Sequence, residues 1–116
     1  MHITVTGRHM EVTEALRDYV HGKLERELSD YPRLDTAHAI LFVEKYRQIA
    51  EVVVQAPGHV RVEAKEESDD MYVSVDRAVE KVAKQLFKHR DKLLDHKARV
   101  SYAEVAKEVE GQDNKG

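Results

Sequence analysis

The sequence predicts an α+β domain, a two-layer sandwich in which two helices cover one face of a four-stranded sheet in the order β-α-β-β-β-α. Three observations carry this expectation. Polar and apolar residues alternate at the start of the chain, apolar residues recur at three- and four-residue steps in two long segments, and three strand-like runs joined by short turns lie between those segments. His2-Ile3-Thr4-Val5-Thr6 reads as a half-buried strand with Ile3 and Val5 on the core face, ending at Gly7. Thr13 can cap a helix on which Leu16, Tyr19, Val20, Leu24, Leu28 and Tyr31 share one side, and Pro32 disfavours helical geometry at Tyr31, where the helix is expected to stop. Residues 37–44 (AHAILFVE) are apolar on both faces at their centre, which suggests a strand in mid-sheet, and residues 49–56 form another β-branched run. Pro57-Gly58 marks a turn, after which Val60, Val62 and Ala64 alternate with Arg61, Glu63 and Lys65, so the pair reads as a hairpin. Asp70 then caps a long helix bearing Met71, Val75, Val79, Val82, Leu86, Leu93 and Leu94. The first helix is a crossover of the length that a parallel strand pair requires.

The 116 residues form one domain by length, expected over residues 1–97, with residues 98–116 as a tail that is partly helical or disordered. Tyr102, Val105, Ala106 and Val109 can make a short amphipathic helix within it. The absence of cysteine excludes a disulfide scaffold, a zinc ribbon and a thiol nucleophile. The first residues lack the charged flank and apolar run of a signal peptide, and the longest apolar run, residues 39–43, is far too short to span a bilayer. The expectation is a soluble cytoplasmic protein without a membrane partner. His2, Thr4 and Thr6 put a polar face on the first strand, which argues against a large obligate interface and for a monomer.

Charge patterning carries the functional reading. Arg77, Lys81, Lys84, Lys88 and Lys92 recur at steps of four, three, four and four, and at roughly 100° per residue they fall within an arc of about 80°, opposite the apolar stripe. Between residues 77 and 97 seven Lys/Arg stand against three Asp/Glu, so a local net of +4 hides inside an overall charge of -3. Like charges at i,i+4 repel by roughly a few tenths of a kcal/mol per pair, so the row costs helix stability. A polyanion reverses that sign, and phosphates are the obvious partner because their neutralisation releases counterions. A merely solvated basic face is the competing explanation, about equally weighted. Lys23 and Arg26 add cations on the first helix among Glu14, Asp18, Glu25, Glu27 and Asp30, and Arg8, Lys45 and Arg47 are loop or strand-end cations. Tyr19, Tyr72 and Phe87 lie on or beside the apolar stripes and read as core or core edge, which leaves base-specific readout unsupported. No catalytic constellation is present: the serines lack a nucleophile elbow, no glycine-rich phosphate loop occurs, and the seven histidines form no metal-ligating motif. No cofactor, metal or small-molecule substrate is expected.

Val12-Thr13-Glu14-Ala15-Leu16-Arg17, Val43-Glu44-Lys45, Asp70-Met71-Tyr72, Lys84-Gln85-Leu86 and Lys88-His89-Arg90-Asp91-Lys92-Leu93 resemble the ribosome hibernation-promoting factor and ribosome-associated inhibitor A family (sigma-54 modulation family), over about residues 1 to 96. The resemblance implies the same β-α-β-β-β-α fold, related to double-stranded-RNA-binding domains. It also implies a stress or stationary-phase factor that sits in the messenger and transfer RNA channel of the small ribosomal subunit and inhibits translation by idle ribosomes. The family's basic positions fall on Lys23 and Arg26 in the first helix and on Lys81, Lys84, Lys88, Arg90 and Lys92 in the second. With Arg77 from the row, these are the expected contacts to ribosomal RNA. Glu25 and Glu27 bracket Arg26, which lowers the contribution expected of the first helix. The core segment resembles the short type that assists ribosome dimerisation, whereas the chain length resembles the tailed type thought to oppose it. Two other classes compete: a generic double-stranded-RNA binder and, more distantly, a metal-dependent enzyme using His89, Asp95 and His96.

Overall fold

A computed structural model describes the backbone of residues 1–105 and the side chains of residues 1–89. The elements are β1 (His2–Arg8), α1 (Glu14–Leu28), β2 (Thr36–Glu44), β3 (Arg47–Ala56), β4 (Val60–Ser68) and α2 (Met71–Val105), in the expected order. The sheet runs β1-β2-β3-β4, with β1 parallel to β2 through the α1 crossover and the other pairs antiparallel. The run that is apolar on both faces, β2, is indeed internal.

One sheet face belongs to the helices. Val5, Ala37, Ala39, Leu41, Ala50, Val52, Val54, Val62 and Ala64 form the core with Leu16, Val20, Leu24 and Leu28 of α1 and Met71, Val75, Val79, Val82 and Leu86 of α2. Alanines at 37, 39, 50 and 64 lack bulk, so the helices come down close to the sheet while the larger leucines and valines fill the space between layers. Each fully buried Val or Leu contributes about 1.5–3 kcal/mol relative to exposure. The opposite face carries His2, Thr4, Thr6 and Arg8 of β1, and its centre is apolar. There Phe42 pairs across β2 and β3 with Ile49, and the Arg8 guanidinium lies 4.3 Å from the Phe42 ring centroid, with the Lys65 ammonium at 5.6 Å. The two cations cover the ring, so Phe42 is buried on the face opposite α1 and α2.

Element ends depart from expectation in instructive ways. Gly7 does not end β1, which continues to Arg8. A Cβ at Gly7 would collide with the Met10 carbonyl oxygen, so the glycine is there because the following turn folds back on the strand. Thr13 caps α1 as expected, its Oγ1 accepting from the Leu16 N–H at 3.1 Å, but the helix closes at Leu28, three residues before Tyr31. There Ser29 Oγ donates to the Arg26 carbonyl oxygen, satisfying a helix-end acceptor, and Tyr31 reaches the core from a turn. Gly58 supplies the φ of +82° that the hairpin requires, and His59 follows at +64°. Asp70 caps α2, with Oδ1 accepting from the Tyr72 N–H at 3.0 Å. The expected boundary at residue 97 falls inside α2, whose backbone continues as one helix to Val105 because no proline or glycine occurs before Gly111. Residues 106–116, including Val109 of the expected tail helix, lie outside the described residues, as do the side chains of Leu93, Leu94, Tyr102 and Val105.

Candidate nucleic-acid interface

The cationic row follows from how α2 is held. Val75, Val79, Val82 and Leu86 are fully buried, and burial of that stripe fixes the rotation of the helix about its axis. Arg77, Lys81, Lys84 and Lys88 are therefore exposed. Lys81 leans toward β4, where its Nζ meets Glu66 Oε2 at 2.5 Å, whereas Arg77, Lys84 and Lys88 make no ion pair among the described residues. Gln85 anchors the β4 side of the helix by donating to the Glu63 carbonyl oxygen at 3.2 Å. Arg90 and Lys92 belong to the same helix, two and four residues beyond Lys88, and their side chains lie outside the described residues.

The α1 cations divide. Arg26 is exposed and without an ion pair among the described residues. Lys23 is only 9% exposed, inside the seam between the helices. Its Nζ lies 2.9 Å from Glu80 Oε2, 3.6 Å from Asp76 Oδ1 and 3.6 Å from Glu27 Oε2. Tyr19 completes the cluster, donating its hydroxyl hydrogen to Asp76 Oδ1 at 2.6 Å while its ring meets Tyr72 edge-on at 4.9 Å. Burial opposes the charge on Lys23, but the hydrogen bond to Glu80 and the carboxylates of Asp76, Glu80 and Glu27 outweigh it, so its pKa is raised. The Tyr19 pKa is raised as well, first by its hydrogen bond to Asp76 and then by burial. The structure thus does not bring Lys23 onto the outer face with Arg77, Lys84 and Lys88. Sequence reasoning missed Asp76, Glu80 and Tyr19 as its partners, although a signal existed. At roughly 100° per residue, Lys23 falls about 20° from Leu16, on the Tyr19 edge of the stripe that α1 buries.

Two of the strand cations are held by local carboxylates. Arg47, at the start of β3, is held by Glu67 at 2.9 Å and Glu44 at 3.0 Å, and Arg8 lies 3.9 Å from Glu51. Lys45 occupies the exposed β2–β3 turn at φ +59°. His89 lies on α2, whereas the side chains of Asp95 and His96, its partners in the metal-enzyme reading, are outside the described residues. Among the described residues no group of three His, Asp or Glu is placed to hold a metal ion, and no helix is long and apolar enough to cross a membrane.

Fold and surface together define a class: a small two-layer α+β module that presents an open row of cations along its longer helix. The family described as Sigma 54 modulation protein / S30EA ribosomal protein matches residues 3–94. The chain belongs to that family. It is 36% identical over 96 residues to a protein of Klebsiella oxytoca named Ribosome hibernation promoting factor, which covers 83% of this chain and all of the relative. A protein of the same name from Pseudomonas putida strain KT2440 is 40% identical over 92 residues, covering 79% of this chain and 89% of that one. Among solved structures, a ribosomal subunit interface protein from Coxiella burnetii superposes with a TM-score of 0.73 at 34% identity, covering 78% of this chain and 99% of that one. The N-terminal domain of Protein Y from Thermus thermophilus superposes with a TM-score of 0.69 at 35% identity, covering 77% and 99%. The α+β order expected from the sequence is the fold these structures share.

Proposed function

We propose that this protein is a ribosome hibernation factor that binds the small ribosomal subunit in the messenger and transfer RNA channel and inhibits translation by idle ribosomes. The observation that carries the reading is the α2 row: Arg77, Lys84 and Lys88 stand exposed and without an ion pair among the described residues, on a helix fixed by a fully buried stripe. The names of the relatives, ribosome hibernation promoting factor and ribosomal subunit interface protein, supply the target of that charge. Binding needs no covalent chemistry. The sheet holds the helix rigid, Arg77, Lys81, Lys84, Lys88, Arg90 and Lys92 neutralise ribosomal RNA phosphates, and the bulk of the domain excludes other occupants of the channel. Arg26 adds a flanking contact from α1. A cytoplasmic location and action as a monomer belong to the same proposal, as does assistance to ribosome dimerisation.

Co-sedimentation with purified small subunits and whole ribosomes on sucrose gradients, at low and moderate salt, tests it. The protein is expected to travel with both, and a ribosome-dimer peak is expected with whole ribosomes. Binding without that peak overturns the dimerisation part alone. Protein left at the top of the gradient but bound to free duplex RNA overturns ribosome targeting in favour of a general duplex binder.

A further inference from the structure

The cation row does not stand alone on α2. Asp76 directly precedes Arg77 and Glu80 directly precedes Lys81, so two carboxylates one helical turn apart flank the row on its α1 side. They are 35% and 55% exposed, open enough for their field to reach an incoming phosphate. Across the seam, the Lys23 ammonium is the one cation within ion-pair distance of both among the described residues, and Tyr19 gives Asp76 a further hydrogen bond. The ammonium is 9% exposed, hydrogen-bonded to Glu80 and flanked by Asp76 and Glu27, so it is engaged inside the seam and not presented on the outer face.

We infer that Lys23 is a positioning residue for polyanion binding: it neutralises Asp76 and Glu80 and draws them toward α1, away from Arg77, Lys84 and Lys88, without itself touching phosphate. This rests on the function proposed above and changes the role that a cation at this position would be given by charge alone. With Lys23 in place, phosphates approaching the row meet carboxylates whose charge is offset from behind. Without it, the same carboxylates turn outward and repel them.

The test is equilibrium binding to purified small ribosomal subunits between about 50 and 200 mM salt, the range over which phosphate contacts are resolved. Thermal unfolding of each variant is recorded alongside. Lys23→Met keeps an aliphatic stem in the seam and removes the ammonium, with its charge and its hydrogen bond to Glu80. It is expected to bind about three- to tenfold more weakly at low salt, with the slope of log affinity against log salt unchanged, because repulsion is added and every phosphate remains neutralised as before. Adding Asp76→Asn and Glu80→Gln to Lys23→Met is expected to restore affinity to within about twofold of the parent, which a purely structural role for Lys23 would not do. Should Lys23→Met fail to fold, Asp76→Asn with Glu80→Gln in the parent chain gives the same answer, with affinity expected to rise. The inference is overturned by unchanged binding of Lys23→Met, by a slope about one unit shallower with no rescue in the triple variant, the signature of a cation that had itself neutralised a phosphate, or by unchanged or weaker binding of the double variant. If the parent chain itself does not bind small subunits, the proposed function falls and takes this inference with it, an outcome separate from the other three.

Discussion

Lys23 and Lys84 are the same side chain on two helices of one layer, and the structure puts them to opposite uses. The Lys23 ammonium is enclosed by Glu27, Asp76 and Glu80 and is spent on joining α1 to α2. Lys84 is exposed and has no ion pair among the described residues. What separates them is the rotation of each helix, set by its apolar stripe: Lys23 lies within the buried arc of α1, and Lys84 lies opposite the buried arc of α2. A count of cations per helix therefore overstates the charge available to a partner on α1, and on α2 it does so at Lys81, which is paired with Glu66.

The contrast can be broken at the seam. Leu24, next to Lys23 and fully buried, packs the stripe that sets the rotation of α1. Leu24→Ala is expected to lower unfolding free energy by about 2–5 kcal/mol in chemical denaturation, whereas Lys84→Ala is expected to leave it within about 0.5 kcal/mol. Equal effects would mean that packing does not distinguish the two regions.

Reversing charge in the open row comes next in size. Lys84→Glu with Lys88→Glu is expected to weaken ribosome binding by about thirtyfold or more at low salt and to flatten the salt dependence by roughly one unit for each phosphate no longer neutralised. Melting temperature is expected to stay within a few degrees of the parent, as charge changes on a solvent face should allow. Unchanged co-sedimentation would remove the row as the binding face.

The seam also has a pH signature. The folded-state pKa values of Lys23 and Tyr19 both lie above their ordinary values of 10.5 and 10.0. Their contribution is therefore fully present below about pH 10 and is lost as pH rises through the folded-state values. Alkaline titration of unfolding free energy is expected to fall above about pH 10 in the parent and to fall less in Tyr19→Phe, with no difference in slope between about pH 6 and 9. The smallest effect sharpens the row itself. Lys81 is exposed and paired to Glu66, so Glu66→Gln is expected to change stability by less than about 1 kcal/mol. It frees a fourth cation, and binding is expected to tighten slightly, as the same sedimentation assay would show.

The order of elements was legible because each had a local cause: alternation in β1 and β4, a both-faces apolar run in β2, the Thr13 and Asp70 caps, and Pro57-Gly58 at the hairpin. The row was legible too, since helical spacing alone puts Arg77, Lys81, Lys84 and Lys88 on one side. What escaped depended on contacts between distant segments. The path of β1 through Gly7 is set by Met10 folding back on it, and the fate of Lys23 by two carboxylates more than fifty residues away on a helix whose lateral neighbour the sequence does not specify. The open sheet face was read only on its polar β1 side, and its Phe42–Ile49 centre, roofed by Arg8 and Lys65, emerges only from strand register.

The close approach at Gly7 reaches further than its own turn. A methyl group there would strike the Met10 carbonyl and the Val12 side chain, so the chain from β1 to the Thr13 cap is wound without slack. An added or deleted residue in residues 8–12 cannot be absorbed by loosening the loop against the strand. It must displace the start of α1 or turn the helix, at roughly 100° per residue. Such a turn would pull Lys23 and Tyr19 away from Glu80 and Asp76. The length of this segment is thus a constraint on electrostatics as much as on folding, and drift in it is expected to weaken binding at low salt.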